Sequence, residues 1–258
     1  SLVNLALLTG NVGKECSGIY PLMGQNNGQG AFNMGALPDF YTDSQPVSDI
    51  NVRKKLEKIY KTKLSKNKGL QIREMFDAAS KGKVKAMYVM GADPVMSEPD
   101  TTKVKKALSK LDFLVVQDIF MSNTAQYADV VLPAACFAEK DGTFTNMERR
   151  VQRIRKTVKP PGEAKADWNI ISELSTCMGS PMNYSSPEAI WEEIRKVSPN
   201  FAGINYQRLD NGGIQWPCPK TDHPGTKFLY ERKFPNGKAT FSSTESKVTS
   251  EKPDKSYP

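Results

Sequence analysis

Val84-Lys85-Ala86-Met87-Tyr88-Val89-Met90-Gly91-Ala92-Asp93-Pro94 is a strand-length apolar run that stops on residues suited to a turn. Such a run, closed by glycine and proline, fits a buried strand. Outward from it the chain alternates. On the N-terminal side, Leu70–Lys81 places Ile72, Met75, Phe76 and Ala79 at helical spacing, and Gly82 stops the helix. On the C-terminal side comes Thr101–Leu111, helical by Val104, Ala107, Leu108 and Leu111. A second apolar run, Phe113–Val116, a short helical turn, Ser122–Tyr127, and a third run, Val130–Leu132, follow. Helices between short apolar strands imply parallel pairing, because parallel neighbours need a crossover and a helix supplies it.

The expected fold class is therefore α/β. It is an open, mostly parallel sheet with helices on both faces, doubly wound and Rossmann-like, with a loop-rich and helical C-terminal extension. Leu2–Leu8 reads as the end of a helix stopped at Gly10, so the chain reads as an internal piece of a longer protein. Residues 9–49 hold seven glycines and three prolines, a density that predicts irregular backbone rather than helix or strand. Residues 51–68 read as a basic surface helix and loop. Glu139–Lys159 is charged and extended. Trp168–Met178 is an amphipathic helix with Asp167 as its expected N-cap and Gly179 as its stop. Ser186 caps another helix with Pro187 at its first position, running through Val197. These changes set four segments: 1–50, 51–136, 137–241, and a tail, 242–258, expected to be disordered.

Bulk properties exclude several classes. The 258 residues are 38% hydrophobic and 25% charged, a globular balance, and no run approaches the roughly 18 apolar residues of a membrane span. The formal charge of +8 favours anionic partners. Cys16, Cys136, Cys177 and Cys218 form no Cys-x-x-Cys pair, which argues against a zinc or iron–sulfur site in this segment and for a reducing, cytoplasmic setting. His223, the single histidine, sits in the turn sequence Asp222-His223-Pro224-Gly225, so no histidine-based triad is expected. Arg149–Lys156 packs five cations into eight residues, without aromatic side chains for base stacking and without any nucleic-acid-binding signature. Contacts to an anionic cofactor or to an acidic neighbouring domain are expected there instead of nucleic acid.

Open parallel sheets bind ligands at the carboxyl ends of their strands. After the first strand comes Gly91-Ala92-Asp93-Pro94, and after the second Gln117-Asp118. A carboxylate there can accept two hydrogen bonds from a guanine edge or from ribose hydroxyls, and Gln117 offers a donor and an acceptor. The plainer alternative is that Asp93 only shapes a turn. Gly24-Gln25-Asn26-Asn27-Gly28-Gln29-Gly30 is neither a phosphate loop with its lysine nor a dinucleotide fingerprint. It either lies against a large polar ligand or is an ordinary loop.

Several segments in one order resemble the molybdopterin oxidoreductase family, specifically the formate dehydrogenase catalytic subunits. They are Leu8-Thr9-Gly10-Asn11-Val12-Gly13-Lys14, Gly24-Gln25-Asn26-Asn27, Gly30-Ala31 and Met34-Gly35-Ala36-Leu37-Pro38-Asp39, then Met90-Gly91-Ala92-Asp93-Pro94 and Val116-Gln117-Asp118-Ile119-Phe120. Ala128–Pro133, Gly142–Asn146 and Glu148-Arg149-Arg150 continue the set, with weaker likeness through Asp167-Trp168 and Ile214–Pro217 to about Phe241. The resemblance implies a molybdopterin guanine dinucleotide cofactor with molybdenum or tungsten in the parent protein, and an iron–sulfur cluster in a part outside this chain. It implies that Gly91, Asp93, Ser97, Gln117, Asp118 and Asp167 contact the cofactor, with Gln25 near the metal centre, and that this chain supplies no metal ligand. On this resemblance 1–50 lies near the active site, 51–136 binds the guanine dinucleotide, and 137–241 belongs to an adjoining domain. The implied partners are the remaining domains of the subunit, electron-transfer subunits and a small substrate such as formate. The fragment alone would be inactive.

One position departs from the pattern. Formate dehydrogenases carry an arginine before Gly24-Gln25-Asn26-Asn27, and here Met23 stands there. A thioether cannot make a charge-assisted pair with a carboxylate. Met23 suggests one alternative to formate oxidation, the same family with another substrate; a separate alternative is a non-catalytic subunit of an electron-transfer complex.

Overall fold

The computed structural model describes residues 2–243 and 245, so the expected tail lies mostly outside the described residues. The chain divides into two units, residues 1–22 with 226–258, and residues 23–225. In the first unit, Leu2–Leu8 is helix α1, and the chain leaves it through Gly10 at φ 66°. Asn4 ties this helix to the returning chain: its Nδ2 donates to Ser242 O at 2.6 Å, and Ser242 N donates to its Oδ1 at 3.3 Å. Gly13 is required where it stands, at φ 77° and with Tyr230 O 2.6 Å from where a Cβ would sit.

The second unit starts with the glycine-rich loop, and here the expectation of wholly irregular backbone is corrected. Gly28–Asn33 is helix α2, and Phe40–Tyr41 (β1) pairs with Gln45–Pro46 (β2). Glycine disfavours helix by about 1 kcal/mol per residue, so α2 owes its existence to tertiary contacts. A Cβ on Gly30 would lie 2.2 Å from Asn27 Oδ1, and that oxygen accepts Thr145 N at 2.8 Å. Ile50–Tyr60 (α3) is the expected basic helix, capped by Asp49, which accepts Asn51 N at 2.8 Å.

The alternating stretch folds as read. Ile72–Ser80 (α4) begins at a capping box between Gln71 and Glu74. Ala86–Met90 (β3), Pro94–Ser97 (α5), Thr101–Leu108 (α6), Phe113–Asp118 (β4) and Val130–Pro133 (β5) follow. The strands form a parallel sheet in the order β3-β4-β5, flanked by helices. Val89, Leu114 and Val116 bury against Phe76 and Ala79 of α4 and Val104, Ala107 and Leu108 of α6. Each large side chain so buried contributes roughly 1.5–3 kcal/mol. Coverage is unequal: on the opposite face Tyr88, Met90, Phe113 and Val130 remain exposed.

The segment read as merely extended contains an antiparallel hairpin. Gly142–Thr145 (β6) pairs with Arg150–Ile154 (β7), with Gly142 opposite Ile154. Asp167–Cys177 (α7), Pro187–Val197 (α8) and Tyr206–Leu209 (α9) follow, and Ile214–Gln215 (β8) returns to pair with β7. Ser186 caps α8 as read, accepting Ala189 N at 3.2 Å. Asp167 does not cap α7. Ala166 holds the N-cap, and Asp167 is the first helical residue, its carboxylate turned to Gln117 and Lys140. A charged partner and a buried amide hold it more strongly than a cap bond would. A second core gathers around Trp191, Phe201, Ile204 and Tyr206 with Val151 and Ile214.

Candidate functional site

Backbone pairing fixes what stands at the carboxyl edge of the parallel sheet. Met90 is the register partner of Gln117, and Gly91 N donates to Gln117 O at 2.8 Å. Gly91 turns the chain at φ 60°, with nothing within 4 Å of a would-be Cβ. Asp93 therefore leaves β3 at the same edge as Gln117, on the adjacent strand.

The carboxylate of Asp93 is engaged by the loop after β4. Its Oδ2 accepts Asn123 N at 3.0 Å and Asn123 Nδ2 at 3.1 Å, and its Oδ1 accepts Thr124 N at 3.0 Å and Thr124 Oγ1 at 2.6 Å. A carboxylate has about four acceptor positions, and this loop fills them. Burial pushes its pKa up, but the bonds from Thr124 and Asn123 outweigh that and leave it below the ordinary value. Asp93 thus clamps two loops together.

Gln117 is fully buried. Its Oε1 accepts the Tyr88 hydroxyl, and its Nε2 donates to Asp167 Oδ1 at 2.7 Å. Asp167 Oδ2 accepts from Lys140 Nζ, which also donates to Ala135 O at 2.9 Å. The side chains of Lys140 and Asp167 remain 21% and 32% exposed, so a ligand can reach this end of the line, as it can the exposed Tyr88 at the other. Burial, and then the negative charge of Asp167, raise the Tyr88 pKa and keep its hydroxyl a donor.

The other expected residues are more scattered. Asp118 Oδ1 accepts Ile119 N at 2.7 Å and Phe120 N at 3.2 Å, shaping its own loop. Ser97 ends α5, exposed, its N donating to Asp93 O at 2.9 Å. Gln25 is exposed in the glycine-rich loop, its O accepting Gly28 N at 3.1 Å. No hydrogen bond among the described residues joins Gln25 to the Gln117 line. The loop and the line do share a cavity of about 290 Å³, bordered by Asn27, Lys140, Thr143 and Asp167 against Trp168 and Trp191. Met23 packs on α2, its Sδ 3.0 Å from where a Cβ on Gly28 would be.

Sequence reasoning missed Tyr88 and Lys140, and marked Asn27 only as one residue of its loop. Strand alternation carried a signal for Tyr88: it lies two residues before Met90, so it shares a sheet face with Gln117. Lys140 and Asn27 act across long sequence separations, which no local pattern marks. In the basic stretch, Arg153 and Arg155 converge on Asp210 Oδ1 at 3.4 and 2.5 Å, and Arg153 stacks over the Tyr206 ring at 3.9 Å. Among the described residues, no three His, Cys, Asp or Glu side chains group to hold a metal, and no helix is long and apolar enough to cross a membrane.

A family model described as molybdopterin oxidoreductase matches residues 1–177. The chain belongs to the molybdopterin oxidoreductase family. Within it, the chain is 53% identical to the F420-dependent formate dehydrogenase subunit alpha of Methanocaldococcus jannaschii, over all of this chain and 38% of that one. It is 44% identical to formate dehydrogenase H of Escherichia coli, over 93% of this chain and 34% of that one. The chain thus spans well under half the length of these molybdopterin oxidoreductases. Acetylene hydratase from Pelobacter acetylenicus overlays at a TM-score of 0.46 and 24% identity, covering 64% of this chain and 23% of its own.

Proposed function

We propose that this chain forms part of the wall around the guanine-dinucleotide end of a molybdopterin cofactor, in the large subunit of a formate-oxidising enzyme. The observation that carries this reading is the hydrogen-bonded line from Tyr88 through Gln117 to Asp167 and Lys140 at the carboxyl edge of a parallel sheet. Its chemistry suits a nucleotide: a phenol, a carboxylate and an ammonium, partly exposed, around a buried amide. Asp167 would hold the base, with Lys140 and Tyr88 behind it, Gly91 and Ser97 would border it, and the loop of Gln25 and Asn27 would extend toward the pterin. The molybdenum or tungsten of the bound cofactor supplies the two-electron chemistry. The residues of this chain bind and orient: Gln117 aims Asp167, and Asp93 fixes the loop at 122–125.

Formate as substrate is supported by two relatives named formate dehydrogenases. A different substrate is favoured by Met23, whose side chain turns onto α2 and carries no charge. The active parent would need its remaining domains, an iron–sulfur cluster held elsewhere and electron-transfer subunits, in the cytoplasm.

In the full-length parent, Asp167→Ala is expected to lower the guanosine monophosphate released by acid hydrolysis, per protein, by roughly tenfold, the size of one lost charge-assisted hydrogen bond. Full nucleotide and metal content in that variant would overturn the placement of the site. Formate-dependent reduction of an artificial dye by the loaded parent tests the substrate. A loaded parent inert to formate, but responsive once Met23→Arg is made, would favour the second reading.

A further inference from the structure

The line at the sheet edge has a polarity. A carboxylate accepts, so the Gln117 amide presents its Nε2 to Asp167 Oδ1, at 2.7 Å, and its Oε1 to the Tyr88 hydroxyl, which donates. Lys140, which can only donate, holds the other carboxylate oxygen. Both ends therefore feed donors inward, and the partly exposed Asp167 between them can only accept. A base that docks there must bring two adjacent N–H groups. Guanine has them on its Watson–Crick edge, at N1 and N2. Cytosine and adenine each present an acceptor where the second donor is needed.

We infer that Tyr88 and Lys140 are positioning residues that set the guanine selectivity of this site without being its principal contact. Tyr88 anchors the amide of Gln117, and Lys140 fixes the rotamer of Asp167. The buried Gln117 relays the first of these. This rests on the reading that Asp167 meets a nucleotide base. It predicts that removing either terminal residue blurs the distinction between bases more than it weakens binding. Without the Tyr88 hydroxyl the buried amide oxygen of Gln117 loses its donor and the side chain can draw back from the carboxylate, and without Lys140 one carboxylate oxygen loses its fixed donor.

Calorimetric titration of the chain with guanosine, inosine and cytidine monophosphates tests it, because inosine lacks only the N2 amino group. The unaltered chain is expected to bind the guanosine nucleotide roughly tenfold more tightly than the inosine nucleotide, and the cytidine nucleotide more weakly still. In Tyr88→Phe and in Lys140→Met the guanosine-to-inosine ratio is expected to fall to about two, while Lys140→Arg restores it. Circular dichroism identifies a variant that fails to fold, and the other then carries the measurement. Folded variants that keep the original ratio would overturn the positioning role and leave the nucleotide site standing. An unaltered chain that binds no guanosine monophosphate would overturn the nucleotide reading and this inference together.

Discussion

The two cores of residues 23–225 are built on different length scales. The core under the parallel sheet draws its buried residues from one continuous stretch, Phe76 to Ala125. The core under the antiparallel sheet draws on Val151, Trp191, Phe201, Ile214 and Cys218, with Met34 packed against it. Polar ties of equal reach accompany it: Asn27 accepts Thr145 N, Gln45 Nε2 donates to Val197 O at 2.9 Å, and Asp43 accepts Asn200 N at 2.9 Å. The first core follows from local periodicity. The second exists only once distant segments meet, and the Lys140 and Asp167 end of the candidate site borders it.

The sharpest way to break this comparison is Trp191→Ala. Trp191 is buried, its Nε1 donates to Ile204 O at 2.6 Å, and its ring meets Phe201 edge-on at 6.1 Å. The expected loss is about 3–5 kcal/mol in denaturant unfolding. Hydrogen-exchange protection should fall further across β6, β7 and β8 than across β3, β4 and β5. Equal losses in both sheets would erase the distinction between the cores.

The same division explains what the sequence disclosed. Helix α4, strand β3 and helix α6 repeat with periods that a short window detects. Gly91, Asp93 and Gln117 were visible because strand ends are visible. β8, Lys140 and α2 were not: β8 has two residues and gains its identity from Val151 across the sheet, Lys140 from a residue 27 positions on, and α2 overrides its own glycines. Asp167 was legible as a helix start, but its side chain answered to Gln117, 50 residues away, and not to its own helix.

A middle-sized effect is expected from Gly30→Ala. The added methyl would meet Asn27 Oδ1 and push it off Thr145 N, costing about 2 kcal/mol net of the better helix propensity of alanine. A neutral or stabilising result, by thermal melting, would show that the glycine-rich loop is less firmly tied to the hairpin than the structure has it.

The smallest effect belongs to the local side. Asp93→Asn replaces one acceptor by a donor facing Asn123 or Thr124 and should cost about 1 kcal/mol at neutral pH. Because the Asp93 pKa is lowered in the folded chain, its contribution is present above the unfolded carboxyl value near ~4 and fades as pH falls through the folded value. The melting temperatures of the original chain and Asp93→Asn should therefore converge in acid. A gap that stays constant down to pH about 2 would mean that the clamp is not electrostatic.

The bond between Asp43 and Asn200 also has a consequence in time. Asp43 is held in a left-handed backbone conformation at φ 62° and buried, yet its partner lies 157 residues further along the chain. At ribosomal speeds that partner emerges roughly 8–30 s later. Within that interval the last strand of the parallel sheet, Val130–Pro133, emerges and the sheet can close by itself, whereas the acid beside the glycine-rich loop still waits for its partner. Birth order along the polypeptide would then make the wall nearest the loop set later than the parallel sheet.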